Sequence, residues 1–275
     1  MDAPAFSAAI VVYRPSVRML SRALASLAAA LARAREAGLA GDATIFVVDN
    51  GPEESREEVR AALREWPAEG GRLELVAGHG NVGYGRANNL VLPRLASEFH
   101  LVMNPDVELD PDALAEALGV LRANPGIGLV APDAYGEDGA RQYLCKRYPS
   151  LWVLFLRGFA PKALRRRFAR RLDDYEMRDV VDAGAVADVP LASGAFMLLR
   201  TALFRRVGGF DPRFFLYFED YDLSLRVGRE ATVAYVPSVR IVHHGGEAAR
   251  KGRRHVAWFV RSAWRFFATH GWKFA

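Results

Sequence analysis

Five short, nearly unbroken apolar runs in the first 130 residues constrain this chain more than any other feature. They are Ala9-Ile-Val-Val-Tyr13, Thr44-Ile-Phe-Val-Val-Asp49, Leu73-Glu-Leu-Val76, Phe99-His-Leu-Val-Met103 and Ile127-Gly-Leu-Val130. A strand with no consistently polar face needs cover on both sides, which a parallel sheet between two layers of helices supplies. The intervening segments read as those helices. Ser16 to Ala37 is rich in Ala, Leu and Arg, Glu53 to Trp66 is charged and amphipathic, and Asp112 to Arg122 follows an Asp110-Pro111 start signal. The expectation is a doubly wound, mostly parallel α/β fold, in which ligands bind beyond the carboxyl ends of the strands. Those ends are Tyr13, Asp49, Gly78 and Asn104-Pro-Asp106. After Pro132 the pattern turns mixed and less regular, as if to complete a site above the first sheet.

At 275 residues, 51% of them hydrophobic, the chain is long enough to bury a large core. Its single cysteine, Cys145, has no intramolecular partner, and no charged segment followed by an apolar one opens the sequence, so a reducing cytoplasmic setting is expected. Arginine or lysine interrupts every apolar stretch before it reaches spanning length.

Several polar groups stand where chemistry needs them. Glu219 and Asp220 lie in Gly209-Phe-Asp-Pro-Arg-Phe-Phe-Leu-Tyr-Phe-Glu-Asp-Tyr-Asp-Leu-Ser-Leu-Arg226, a turn and aromatic wall at the mouth of a helix. A carboxylate among rings is partly desolvated, which raises its proton affinity and suits it to general-base work. Acidic residues at a helix start also simply complement the macrodipole. Asp49, in Val47-Val-Asp-Asn-Gly51, is placed to accept from a base N–H or a ribose hydroxyl, and Asp-Asn-Gly is also a turn sequence. Asn81-Val-Gly-Tyr-Gly-Arg-Ala-Asn-Asn89 leads into a helix whose free N–H groups, with Arg86, suit a diphosphate. It has neither Rossmann nor P-loop spacing. Asn104 and Asp106 can face one metal-bound diphosphate, and His243 or His244, after an apolar strand, can complete a shell that a lone carboxylate leaves open.

In order along the chain, Val11-Val-Tyr13, Val47-Val-Asp-Asn50, Gly80 to Asn89, Met103-Asn-Pro-Asp-Val107, Ser193-Gly-Ala195, Gly209 to Arg226 and His243-His-Gly-Gly246 resemble the family 2 glycosyltransferases of GT-A fold. The bacterial rhamnosyltransferase-like members are the nearest in pattern. The resemblance implies residues 1–132 as a nucleotide-sugar-binding half, 133–248 as the acceptor and catalytic half of the same domain, and 249–275 as a basic, aromatic C-terminal helix. It further implies inverting transfer of a sugar, L-rhamnose from dTDP-L-rhamnose, in bacterial surface-polysaccharide assembly. On the matching positions Tyr13 and Asp49 hold the nucleoside, while Asn81, Arg86 and Asn104 lie near the ribose-diphosphate. Asp106 binds Mg²⁺ or Mn²⁺ with His243, Asp220 is the base, Glu219 orients the acceptor or supports the loop, and Ser193 and Gly194 stand on the acceptor side. Two positions depart from the family pattern: Asn104 replaces the first carboxylate of the Asp-x-Asp motif, and Ala248 stands near a usual serine, which favours His243 over His244.

Leu151 to Leu172 carries seven basic residues between Arg157 and Arg171 and no acidic one, and Arg253 to Phe274 mixes arginines with aromatic rings. Such segments suit an anionic membrane surface and, with it, a polyprenyl-diphosphate-linked glycan as acceptor. They also suit a solvated face over an ordinary core. Nucleic acid is disfavoured because no recognition module accompanies the charge. A hexosyl or N-acetylhexosaminyl transferase on the same fold, a catalytically silent glycan-binding or membrane scaffold, and a nucleotidyltransferase remain the competing readings.

Overall fold

The computed structural model describes residues 3–245 and 252–275; Gly246 and Ala248, singled out above, lie outside them. The first half runs β1 (Phe6–Val12), α1 (Val17–Glu36), β2 (Ala43–Asp49), α2 (Arg56–Leu63), β3 (Arg72–Val76), α3 (Tyr84–Asn89), β4 (Phe99–Met103) and β5 (Val107–Leu109). Next come α4 (Ala113–Ala123), β6 (Ile127–Tyr135), β7 (Arg141–Gln142), α5 (Leu151–Gly158), α6 (Lys162–Arg167), α7 (Ala169–Tyr175) and α8 (Arg178–Val181). The chain ends with β8 (Ala187–Asp188), β9 (Phe196–Arg200), α9 (Thr201–Arg206), α10 (Glu219–Val227), β10 (Thr232–His243) and α11 (Arg253–His270).

One sheet crosses the molecule in the order β3-β2-β1-β4-β9-β6-β10-β5. The first four strands, β1 to β4, are parallel, as their continuous apolar character requires. Between β4 and β6 lies β9, antiparallel to both, so the last of the five apolar runs does not adjoin the fourth. β10 then pairs parallel with β6, and β5 closes the edge antiparallel to β10. Pro132, where the two halves were divided, falls within β6, which continues to Tyr135.

Both faces are covered. On one, α1 presents Leu20, Leu24, Leu27 and Leu31 at helical spacing, and with Leu114, Leu118 and Leu121 of α4 they pack on the inward side chains of β1, β2 and β4. On the other, Ala87, Leu203, Phe204, Leu223 and Val227 from α3, α9 and α10 bury Phe46, Val102 and Met197. A third cluster joins Phe266 and Phe267 of α11 to Leu154, Phe214 and Phe218. Among the described residues no helix is long and apolar enough to cross a membrane.

Candidate active site

The carboxyl ends of β1 and β2 open into a cleft of about 840 Å³, walled by Val11, Tyr13, Asn50, Asn81 and Tyr84 on the sheet side and by Phe215, Arg254 and Trp258 opposite. Tyr13 leaves half its surface, 53%, exposed at the rim. Asp49 sits one residue behind the wall and is fully buried. Its Oδ1 accepts the Gly51 N–H at 3.0 Å, and its Oδ2 lies 3.6 Å from Arg56 without a hydrogen bond. Asn50, itself only 4% exposed, lines the wall instead. It donates to Asn81 Oδ1 at 3.1 Å and accepts the Val82 N–H at 3.0 Å, which fixes the glycine-bearing loop to β2. Gly83, at φ +90°, passes so near the Phe215 carbonyl that a Cβ would stand 2.3 Å from its oxygen. Only glycine fits there.

Beyond β4, Asn104 forms a backbone turn, its N–H bonded to the Ala195 carbonyl. Asp106 Oδ1 is buried, lacks a hydrogen-bond partner and lies 3.7 Å from His243 Nε2. The other ring nitrogen, Nδ1, donates to Gln142 Oε1 at 2.7 Å, so Nε2 keeps its lone pair toward Asp106. Burial pushes the His243 pKa down, against the pull of Asp106. The two atoms are too far apart for a hydrogen bond. Their spacing falls within the roughly 3–4 Å that separates ligands of one octahedral ion with bonds near 2.1 Å. No cluster of three such side chains occurs among the described residues, so the remaining ligands would have to come from a bound diphosphate and water. His244 faces elsewhere, 2.6 Å from Glu108 and 3.7 Å from Glu137, with Arg22 also on Glu108.

The acidic pair enters on a strained turn. Tyr217 and Phe218 both adopt positive φ, 71° and 66°, a conformation that costs non-glycine residues about 1–3 kcal/mol each. Rings and hydrogen bonds from α11 hold it. Phe218 packs 5.3 Å from Phe259 and 5.2 Å from Phe266, Ser262 donates to the Leu216 carbonyl, and the Tyr217 hydroxyl meets His255 Nδ1 at 2.9 Å. The turn buries Glu219, whose Oε2 has no hydrogen bond, and leaves Asp220 half-buried. Burial and then the neighbouring Asp220 push the Glu219 pKa up to about 8. Burial raises Asp220 too, opposed by N–H groups of Gly194 and Tyr221, each 2.9 Å from its carboxylate. Gly194 lies close against Tyr84 and Asp220, since a Cβ there would stand 3.3 Å from the one and 3.4 Å from the other. Tyr84 donates to the Gly194 carbonyl at 2.7 Å, joining the two walls.

Arg86 and Ser193, both expected at the site, line neither cleft. Arg86 donates to the Pro212 carbonyl and tethers α3 to the acidic loop, and Ser193 Oγ accepts the Ala195 N–H at 3.3 Å. Asp222 and Arg226 form an i,i+4 ion pair at 2.7 Å, completed by His270 at 2.8 Å. Asn50 and Tyr84 were visible in the quoted motifs without a role. Phe215 and Trp258, 4.7 Å apart across the cleft wall, come from distant segments that no local pattern connects.

A parallel sheet interrupted by one antiparallel strand, with a nucleotide-sized cleft at its strand ends and an acidic pair beside it, is the architecture of a GT-A glycosyltransferase. The chain belongs to glycosyl transferase family 2, whose sequence pattern matches residues 7–205. It is 28% identical over 277 residues to N-acetylglucosaminyl-diphospho-decaprenol L-rhamnosyltransferase from Mycobacterium tuberculosis, covering 95% of this chain and 84% of that one. Rhamnosyltransferase WbbL from Escherichia coli is 24% identical over 212 residues, 71% and 74% of the two chains. Among solved structures, mannosyltransferase PcManGT from Pyrobaculum calidifontis with GDP-Man and Mn²⁺ superposes with a TM-score of 0.59 at 18% identity. The match covers 97% of this chain and 64% of that enzyme. GalNAc-T7 with UDP, GalNAc and Mn²⁺ gives 0.60 at 14% identity, over 88% of this chain and 44% of that one.

Proposed function

We propose that this protein transfers L-rhamnose, with inversion, from a nucleoside-diphosphate donor such as dTDP-L-rhamnose to a hydroxyl of a polyprenyl-diphosphate-linked sugar. The observation that carries this reading is the position of Asp220. Leu216, four residues before it, borders both the 840 Å³ cleft and a second cavity of about 320 Å³ whose wall includes Asp220 and Glu219. A base in the smaller cavity, which adjoins the larger cleft at Leu216, can act on an acceptor there while the donor occupies the larger one. The names of two curated relatives support the sugar, and that of the mycobacterial one the acceptor.

In this scheme the larger cleft holds the nucleotide, with Tyr13 at its rim and Asn50 and Asn81 along its wall. Asp220 takes the proton from the acceptor hydroxyl as that oxygen bonds to the anomeric carbon from one face. The bond from carbon to the diphosphate breaks on the opposite face, and its electron pair leaves with the nucleoside diphosphate. Asp106 and His243 would hold Mg²⁺ or Mn²⁺, which when bound neutralises charge on the departing diphosphate. Glu219, protonated near neutral pH, leaves the negative charge on Asp220, and Gly194 N–H orients that carboxylate.

Asp220→Asn keeps the shape and one of the two backbone hydrogen bonds, because its amide nitrogen cannot accept an N–H, while removing the base. Transfer should fall by on the order of a hundredfold or more with donor affinity retained. Rates within a few fold of wild type would remove Asp220 from that role.

A further inference from the structure

The smaller cavity has an unusual charge distribution. Glu219 and Asp220 form one part of its wall, and Arg157 of α5 another, with Tyr175 and Tyr221 between them. The two tyrosine hydroxyls lie 3.1 Å apart. The Arg157 guanidinium sits 5.4 Å above the Tyr175 ring and 4.0 Å from Glu176 Oε1, beyond hydrogen-bond reach. That same oxygen is 3.8 Å from Lys146, while Oε2 is held by Arg178, itself 3.0 Å from Asp173. Three cations thus share two carboxylates, and positive charge is left over beside the cavity. Its effect reaches Lys146, whose pKa burial and then Arg157 push down to about 8. No ion pair joins Arg157 to Glu219 or Asp220 among the described residues, so one small cavity contains a base and a cation that do not neutralise each other.

A neutral glycan has no group that needs such a cation. A sugar carrying a phosphate next to it does: its hydroxyl can reach the carboxylate while its phosphate meets the guanidinium, whose planar fork suits phosphate oxygens. α5 contributes Leu154 and Arg157 to the cavity wall, while Phe155 and, just after the helix, Phe159 stay 41% and 56% exposed. We propose that Arg157 binds the phosphate adjoining the acceptor sugar, which makes this cavity a subsite for a sugar diphosphate. The proposal rests on the transferase reading with Asp220 as base and adds a specificity-determining residue to it.

Calorimetry with farnesyl diphosphate, and with farnesol as its uncharged counterpart, tests the assignment in full-length protein without added metal. Wild type should bind the diphosphate. Arg157→Gln should weaken it on the order of tenfold or more, as expected for losing a charge-assisted pair, and Arg157→Lys should restore part of the affinity. Farnesol binding should not change in either variant. Nucleotide-sugar affinity should also hold, which shows that the fold is intact. Equal diphosphate affinity in wild type and Arg157→Gln would overturn the proposal, as would a loss reproduced instead by neutralising Arg165, Arg166 and Arg167. Arg157-dependent diphosphate binding in a protein that binds no nucleotide sugar would sink the transferase reading while leaving the phosphate role of Arg157 standing.

Discussion

Glu219 and Asp220 are neighbours with opposite surroundings, and the difference assigns their protonation. Glu219 is 5% exposed with one oxygen unpartnered, whereas Asp220 receives two backbone N–H groups. Around neutral pH the pair therefore holds one proton, on the Glu219 side. A carboxyl raised from 4.5 to about 8 in the folded state binds its proton more tightly there than in the unfolded chain. The resulting stabilisation is complete below about pH 4.5 and is lost as pH rises through 8. Glu219→Gln keeps the shape without the ionisation, so its thermal midpoint should exceed that of wild type at pH 8 by roughly 2–4 °C for each kcal/mol recovered. The two midpoints should converge near pH 4.5, and parallel curves across that range would show that Glu219 titrates normally. The histidines separate as sharply. Asp106→Ala and His243→Ala should each weaken Mn²⁺-dependent donor binding by on the order of tenfold or more. His244→Ala, which breaks a contact to Glu108, should leave the metal dependence intact. If His244→Ala alone abolished it, the ligand assignment would be reversed.

At the scale of elements, α11 acts on the site through the loop it covers. Its inner face, Ala263, Phe266 and Phe267, is buried against Phe214 and Phe218, while Val256, Val260 and Trp264 stay exposed. The aromatic C-terminal segment was legible in the sequence, but which rings face the core was not. That depends on contact with residues about fifty positions earlier. For the same reason the left-handed turn at Tyr217 and Phe218 carries no local signal: neither residue is glycine, and the rings and hydrogen bonds of α11 hold the conformation. Phe266→Ala should cost about 3–5 kcal/mol of stability, as for other large aromatic deletions in a core. Because Phe266 supports Phe218, the turnover number should drop further than donor affinity does. A stability loss with unchanged turnover in the folded fraction would mean that the turn holds without α11.

The molecule as a whole shows how far pattern alone carries. The four parallel strands of the first half were legible because burial on both faces demands unbroken apolar runs, and the observed β4 runs from Phe99 to Met103 as read. The place of β9 was not, since strand order depends on pairing between segments about a hundred residues apart. Charge is likewise distributed in a way that totals conceal. The seven basic residues between Arg157 and Arg171 exceed the net charge of +5, so the rest of the chain is net acidic. Arg165, Arg166, Arg167, Arg170 and Arg171 are exposed and have no carboxylate partner among the described residues. Beside them, Leu151 and Trp152 are hydrogen-bonded to Lys273 and Phe274, which gathers the exposed Phe155, Phe159, Trp272 and Phe274 near the same helices. Exposed rings next to unpaired arginines match the interface of an anionic bilayer, where a polyprenyl-linked acceptor would reside. At about 1 kcal/mol for each cation near such a surface, replacing Arg165, Arg166 and Arg167 by Gln should lower partitioning onto phosphatidylglycerol vesicles on the order of a hundredfold at low salt. Added salt should shrink the difference, because it screens these exposed charges, and phosphatidylcholine vesicles should show little of it. Equal partitioning of wild type and variant onto the anionic vesicles would mean that this face meets water alone.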